Sequence, residues 1–306
     1  PQAHAGFDGD GDGIACEHLP GRPQDPPPAP RYIIPTKDAL LRPTTRLYGV
    51  HTREAPFAMH EVQAFTQAVG KAPNNVMFFT NFSRGFPANA VDNAWNAGML
   101  PIVTFEPIIE NSDKGQPLLR DITNGKYDAF FTEWATAAKA NGKPFGLRFA
   151  QEMNGNWYSW SDGRFGNANG DFVKAWRHVH DIFTEVGADN AIWIWSVNRI
   201  DNLPDKTIAR VYPGDRYVDW TGMSGYYRTE GTPPTFDTTF AATLAELKKV
   251  APNKPVMLTE VGVGTTEANR LAWIESFFQG LLDHQEIIGF TWFNDFKSGG
   301  DWTVQF

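Results

Sequence analysis

The sequence predicts an α/β fold, a (β/α)₈ barrel, and three observations predict it. Short runs rich in β-branched and aromatic residues recur from Leu47 onward, stretches of helical period separate them, and the runs number eight. Such a pattern points to a closed parallel barrel rather than an open doubly wound sheet, and no Gly-x-Gly-x-x-Gly turn follows the first run. A nucleotide-binding reading loses support.

In order along the chain, strands are predicted at 47–52 (LYGVHT), 76–82 (VMFFTNF), 100–106 (LPIVTFE) and 145–152 (FGLRFAQE), then at 191–197 (AIWIWSV), 219–226 (DWTGMSGY), 255–261 (PVMLTEV) and 287–293 (IIGFTWF). Each is a short, nearly continuous apolar run, as expected of strands covered on both faces. Helices are predicted over 59–69, 88–97, 127–140, 170–186, 237–250 and 267–283, several closed by the Gly or Asn that helix C-termini favour. Little chain remains after the eighth strand for a final helix, so residues 36–42 or the linker before them are expected to cover that side, unless the chain is cut short there.

Residues 1–30 read differently. An acidic stretch, FDGDGDGIACE at 7–17, precedes PGRPQDPPPAP at 20–30, which should be extended and stiff. The expected organisation is a small segment over 1–19, a Pro-rich linker over 20–35 and the barrel over 36–306. Asp8, Asp10 and Asp12 alternate, Gly13 follows, and Glu17 comes after it, so their oxygens could converge on a calcium ion. With Cys16 the single cysteine, no disulfide can form within these residues. The chain begins at Pro1, which points to upstream sequence removed by processing or cloning.

Composition narrows the partners. A 42% hydrophobic, 20% charged chain of 306 residues can bury a large core. Its formal net charge of −8 argues against nucleic acid or an anionic membrane as the main partner, since those binders concentrate basic charge. No apolar run approaches the roughly 20 residues of a membrane helix. The 11 Trp stand partly at predicted strand ends, where flat faces suit the C–H faces of sugar rings.

Barrel active sites lie at the carboxyl ends of the strands, so polar residues closing apolar strands are the candidates. Glu152 closes FGLRFAQE and Glu260 closes PVMLTE, on the fourth and seventh predicted strands. Two carboxyl groups about 5–5.5 Å apart, one protonated and one ionised, are what retaining cleavage of a glycosidic bond requires. Arg148, on the same strand as Glu152, could hold a neighbouring carboxylate ionised, and Trp157 and Trp160 follow in the loop. His51, Glu106 and Asp295 also close strands and could bond sugar hydroxyls. The seven His show no metal-ligand spacing, and no Gly-x-Ser-x-Gly elbow is present.

RFAQEMNGNWYSW at 148–160, MLTEVG at 257–262 and WFNDFKSGGDW at 292–302 together resemble glycoside hydrolase family 26, the β-mannanase family of the clan A barrels, across about residues 45–306. The resemblance implies that Glu152 is acid/base and Glu260 nucleophile. It implies that Tyr226 orients the nucleophile, that Trp292 stacks under the sugar at the cleavage point, and that Trp157 and Trp160 are subsite walls. Asn154, in the Glu-Met-Asn-Gly stretch, and Asn198, at the end of the fifth strand, join them as substrate-binding candidates. The family has His where this chain has Gln151, beside the sugar at the cleavage point.

The activity so implied is that of a retaining endo-β-glycanase on a polysaccharide, β-1,4-mannan first, with mixed-linkage β-glucan or β-xylan as alternatives. It requires no cofactor for catalysis. A secreted or cell-surface monomer, inserted in no membrane and binding no nucleic acid, is expected. The alternative of another class is a catalytically silent carbohydrate-binding barrel held at a cell surface. The acidic segment itself resembles the end of an extracellular calcium-binding excalibur repeat whose upstream half, with the second Cys, is missing.

Overall fold

A computed structural model describes residues 32–112, 115–201, 203–228, 231–264, 266–297, 300, 301 and 303. The chain divides into two units, Pro1–Ile33 and Ile34–Phe306, and the barrel belongs to the second. The acidic segment with Asp8, Asp10, Asp12, Cys16 and Glu17, and nearly all of the linker, lie outside the described residues.

Eight parallel strands, β1 (Leu47–His51), β2 (Asn75–Asn81), β3 (Leu100–Glu106), β4 (Phe145–Phe149), β5 (Ala191–Asn198), β6 (Trp220–Tyr227), β7 (Val256–Val263) and β8 (Ile287–Phe293), close into a barrel in chain order. The seam between β1 and β8 runs in unbroken register from Leu47 opposite Gly289 to His51 opposite Phe293. All but β4 lie within two residues of their predicted bounds. That strand stops at Phe149, so Gln151 and Glu152 belong to the loop after it.

Helices α1 (Lys37–Leu41), α2 (His60–Val69), α3 (Ala88–Asn96), α4 (Leu119–Thr123), α5 (Asp128–Asn141), α6 (Asp171–Val186), α7 (Phe236–Val250) and α8 (Glu267–Asp283) surround the strands. The physics of α6 is representative. Phe172, Ala175, Trp176, Val179, Ile182 and Phe183 recur every three or four residues and are all buried, so one stripe faces the barrel wall. Gly187, at φ 74°, ends it in the left-handed region that glycine adopts without a Cβ clash. Between β5 and β6 two short 3₁₀ turns, Ala209–Val211 and Asp215–Tyr217, stand in place of a helix.

Alternate residues of each strand face the lumen, and the lower layer shows how closely it is filled. The Asn75 amide sits against β1, donating to the Phe290 carbonyl at 3.3 Å and accepting from the Thr291 hydroxyl at 2.8 Å. A Cβ at Gly49 would fall 1.8 Å from the Asn75 oxygen, so β1 needs glycine opposite it.

Residues 36–42 do not take the role expected of them. Thr36 caps α1, and α1 lies under the amino ends of β5 and β6, where Lys37 reaches the Ala191 carbonyl at 2.6 Å and Trp220 donates to the Leu41 carbonyl at 3.0 Å. The flank after β8 stays uncovered by α1. A two-residue hairpin, β9 (Phe296–Lys297) and β10 (Gly300–Asp301), follows β8 there.

One irregularity bears on function. Strand β7 pairs Leu258 with Met223 and then Glu260 with Ser224, skipping Thr259. Such a bulge inserts one residue and resets the alternation of faces. Thr259 points inward, its hydroxyl 2.7 Å from that of Ser196, and Glu260, which strict alternation would turn outward, points inward as well.

Candidate active site

Each oxygen of Glu260 accepts a hydrogen bond from a described residue. Arg148 Nη1 donates to Oε1 at 2.5 Å and the Tyr226 hydroxyl donates to Oε2 at 2.5 Å. Arg148 is wholly buried in mid-strand β4 and spans the lumen, giving a second bond from Nη2 to the Ser224 hydroxyl at 2.8 Å. A buried guanidinium is tolerable only with a counter-charge. Glu260 supplies it, and that pairing favours the ionised carboxylate. Beside Glu260, the buried Tyr226 hydroxyl is pushed well above its ordinary range, by burial first and by the carboxylate charge second, so it stays a proton donor.

Glu152 reaches the same mouth by another route. Ala150 and Glu152 both have left-handed backbone, φ 47° and 56°, unusual for residues with a Cβ. Backbone bonds to two strands fix this turn, from Ala150 N to the Phe105 carbonyl and from Glu152 N to the Ser196 carbonyl, each 2.9 Å. The carboxyl group accepts from Asn198 Nδ2 and from Trp157 Nε1, both at 3.0 Å. Burial raises its pKa most and the charge of Glu260 raises it further, while Arg148 and hydrogen bonds from Ser224 and Asn198 act the other way. The result is a carboxyl group whose pKa is raised above the usual carboxylate value.

The two groups are joined by a row of register. Asn198 of β5 lies opposite Ser224 of β6, and Ser224 opposite Glu260 of β7. Asn198 holds one carboxyl group, Ser224 shares Arg148 with the other, and both carboxyl groups therefore stand at the carboxyl end of the β5–β6–β7 stretch. Chemically this sets a carboxylate paired with a guanidinium beside a carboxyl group whose pKa is raised, both facing one lumen.

The remaining candidates separate into three groups. Gln151 and Glu106 are paired, Nε2 to Oε1 at 2.8 Å, leaving the buried Gln151 Oε1 without a hydrogen bond. Trp157 keeps 45% of its surface exposed while its Nε1 is bonded to Glu152. His51 faces the lumen too, its Nδ1 donating to the Met77 carbonyl at 2.9 Å and its ring 4.5 Å from that of Phe293, while Asp295 bonds Arg53 at 2.8 Å.

Three expectations are corrected. Trp160 is no wall: it is 2% exposed, its Nε1 donates to the Gln151 carbonyl at 2.7 Å, and it stacks on Tyr158 at 4.2 Å. Asn154 exchanges both ends of its amide with the backbone of Asn198, each bond 2.8 Å, so it clips the loop to β5 instead of reaching into the lumen. Trp292 points out of the barrel toward Trp273 of α8, because Thr291 faces the lumen and alternation turns its neighbour away. The inward aromatic at that end is Phe293, whose ring stands 6.0 Å from Tyr226.

Sequence reasoning passed over Ser224, Phe293 and Tyr158. Two-residue alternation from Tyr226 would have found Ser224. Phe293 follows from the same counting once Thr291 is placed. Tyr158, half-buried against Trp160, has its hydroxyl pushed up from its ordinary value by burial first and by the charges of Glu152, Glu260 and Glu106 after it. Among the described residues no group of three or more His, Cys, Asp or Glu is gathered to hold a metal ion, and no helix is long and apolar enough to cross a membrane.

Comparison with known proteins gives the same fold and a family. The model of "Glycosyl hydrolase family 26" matches residues 106–271, more than half of the chain. Endoglucanase H of Acetivibrio thermocellus is 32% identical over 256 residues, 79% of this chain but 27% of that protein. Beta-1,3-xylanase TXYA of a Vibrio species is 25% identical over 276 residues, 80% of this chain and 57% of its own length. The chain thus spans between about a quarter and a little over half of these relatives. Among solved structures, a modular endo-beta-1,4-mannanase from Cellulomonas fimi superposes with a TM-score of 0.66 at 18% identity, covering 86% of this chain and 68% of that one.

Proposed function

The chain belongs to glycosyl hydrolase family 26, and from that premise we propose that it is a retaining endo-β-glycanase in which Glu260 is nucleophile and Glu152 acid/base. The observation that carries this reading is the contrast between a carboxylate paired with buried Arg148 and a neighbouring carboxyl group whose pKa is raised.

A Glu260 oxygen attacks the anomeric carbon as its bond to the leaving oxygen breaks, and the Glu152 proton passes to that oxygen. Glu152, now ionised, takes a proton from water as the hydroxide equivalent attacks the same carbon and the bond to Glu260 breaks. The proton ends on Glu152 and the cycle closes, with no cofactor required. Tyr226 and Arg148 hold the departing and returning carboxylate in one orientation.

For the polymer, 32% identity to a stretch of Endoglucanase H favours a β-glucan. β-1,4-Mannan is the second reading, favoured by the Glu-Met-Asn-Gly stretch around Glu152. Secretion fits a polymeric substrate, which a cell cannot take up whole. Reducing-sugar release from mannan, mixed-linkage β-glucan and xylan, with the anomer of the first product followed by NMR, tests the assignment. The β-anomer should appear first on one polymer. An α-anomer first, or equal release by Glu260→Ala, would overturn it.

A further inference from the structure

Strand β4 stops at Phe149, whereas its neighbour β5 runs on to Asn198. The end of β5 thus keeps backbone groups that face the side β4 has left, and such groups need partners. The turn after β4 supplies them. Glu152 N donates to the Ser196 carbonyl at 2.9 Å, and two residues further along β5 the Asn154 side chain takes over. Its Oδ1 accepts from Asn198 N and its Nδ2 donates to the Asn198 carbonyl, each at 2.8 Å. A side-chain amide carries the same donor and acceptor as a peptide group. Asn154 therefore stands in for one residue of β4.

The consequence falls on Glu152. With the N–H and carbonyl of Asn198 both held, the direction of its Cβ is held as well, because side chains on a strand follow the backbone. From there the Asn198 amide reaches Glu152, Nδ2 donating to Oε1 at 3.0 Å. The other edge is gripped too, since Arg199 N bonds the Ser224 carbonyl at 3.0 Å. Asn154 itself lies two residues beyond Glu152, on a turn in which Glu152 has left-handed backbone and Gly155 N bonds the Glu152 carbonyl at 2.9 Å. Carboxyl group, turn and strand end form one ring of contacts. Both ends of the Asn154 amide are engaged by the strand, so its effect on the carboxyl group passes through Asn198.

We propose that Asn154 is a positioning residue for the acid/base: it completes the end of β5, and so aims the Asn198 amide at Glu152. The inference rests on the acid/base reading of Glu152. The bond from Asn198 favours the ionised carboxyl group, so losing its aim raises the pKa of Glu152 and moves the alkaline limb of kcat/KM to higher pH. General loosening of the turn acts in the opposite direction. Water admitted beside Glu152 would remove part of the burial that raises its pKa, and the limb would move down.

The test is a double-mutant cycle of Asn154→Ala and Asn198→Ala in the 306-residue chain, with rates on the polymer that the wild type cleaves and Tm recorded together. Asn154→Ala alone should lower kcat about tenfold, change KM less than about twofold and raise the alkaline limb by about half a pH unit. In the Asn198→Ala background no amide is left to aim. There Asn154→Ala should lower Tm as before but change kcat less than about twofold. Asn167→Ala is the control for loosening, since Asn167 ties the same loop to Ser159, Ser161 and Leu119, away from Asn198. It should lower Tm without raising the limb. Equal losses of kcat in both backgrounds, or a limb that moves down in Asn154→Ala, would overturn the inference. If Asn154→Ala does not fold, Asn154→Asp keeps the acceptor and loses the donor, and its added charge acts in both backgrounds and cancels in the cycle. Glu152→Gln separates the two claims. Near wild-type turnover in that variant would remove the acid/base reading itself, whereas a collapse there beside an additive cycle would remove only the role of Asn154.

Discussion

Glu152 and Glu260 are the same residue type in one lumen, yet the regions that carry them are built on opposite principles. The β7 bulge delivers Glu260 from regular strand and puts a buried cation on one oxygen and a phenol on the other. The loop after β4 delivers Glu152 from left-handed backbone and offers its oxygens an amide and an indole, with no cation bonded to them. One buried positive charge can balance one negative charge. A second ionised carboxylate beside the first would lack such a partner, so the pKa of Glu152 is raised, by burial first and by the charge of Glu260 second. The lesson is that role follows from the partner set, with sequence identity held constant.

The sharpest way to break this contrast is Glu260→Ala. Removing the group that forms the intermediate should lower kcat by at least about 10⁴-fold on every polymer the wild type cleaves, measured by reducing-sugar release. Retention of more than a tenth of the activity would move the nucleophile elsewhere.

Glu152→Gln is the next largest, about 10²–10⁴-fold on polysaccharide, because proton donation to a poor leaving group is lost. Aryl glycosides with acidic leaving groups should lose far less in the first step. The same variant tests the raised pKa through stability. Glu152 binds its proton more tightly folded than unfolded, so wild-type stability falls as pH rises above the unfolded value of 4.5. Glu152→Gln does not titrate, and should therefore gain Tm over wild type at neutral pH. That gain should vanish below pH 4.5 in a calorimetric series. A Tm difference independent of pH would mean that Glu152 is ionised in the folded protein.

Tyr226→Phe removes one donor from Glu260 and leaves Arg148 in place. A loss of about 10–10² in kcat/KM is expected, carried mainly by kcat, with the acid limb of the pH profile moved upward because the carboxylate has lost a bond to its charged form. An unmoved acid limb would show that the phenol does not act on the nucleophile.

The smallest effect belongs to Tyr158→Phe. Its hydroxyl feels the charge of all three mouth carboxylates while its ring stacks on Trp160, so loss of the oxygen should raise KM by about 3–10-fold and leave Tm unchanged. If kcat fell and KM did not, Tyr158 would belong with the reacting groups.

Much of the fold was legible because buried parallel strands write themselves as continuous apolar runs, and β3, LPIVTFE, is read to its final residue. The helices α1 and α4, with five residues each, are too short to show a period and went unread. The site was half legible. Glu260 stood out as a polar end to PVMLTE, but simple alternation would have faced it outward, and only the pairing with β6 reveals the skipped Thr259. Trp292 and Phe293 are adjacent aromatics, so composition could not choose between them, whereas the Thr291–Asn75 bond does. Trp157 and Trp160 look alike in NWYSW and differ only in what lies behind each ring, which is tertiary information.

The skipped residue in β7 carries an evolutionary corollary. Deleting Thr259 would leave Leu258 opposite Met223 and Glu260 opposite Ser224 in regular register, so the glutamate would still face the lumen and only the inward hydroxyl before it would be lost. The position of this carboxylate is therefore set by its partner on β6 and not by its count along β7, so one codon more or fewer at the bulge can drift in without moving it.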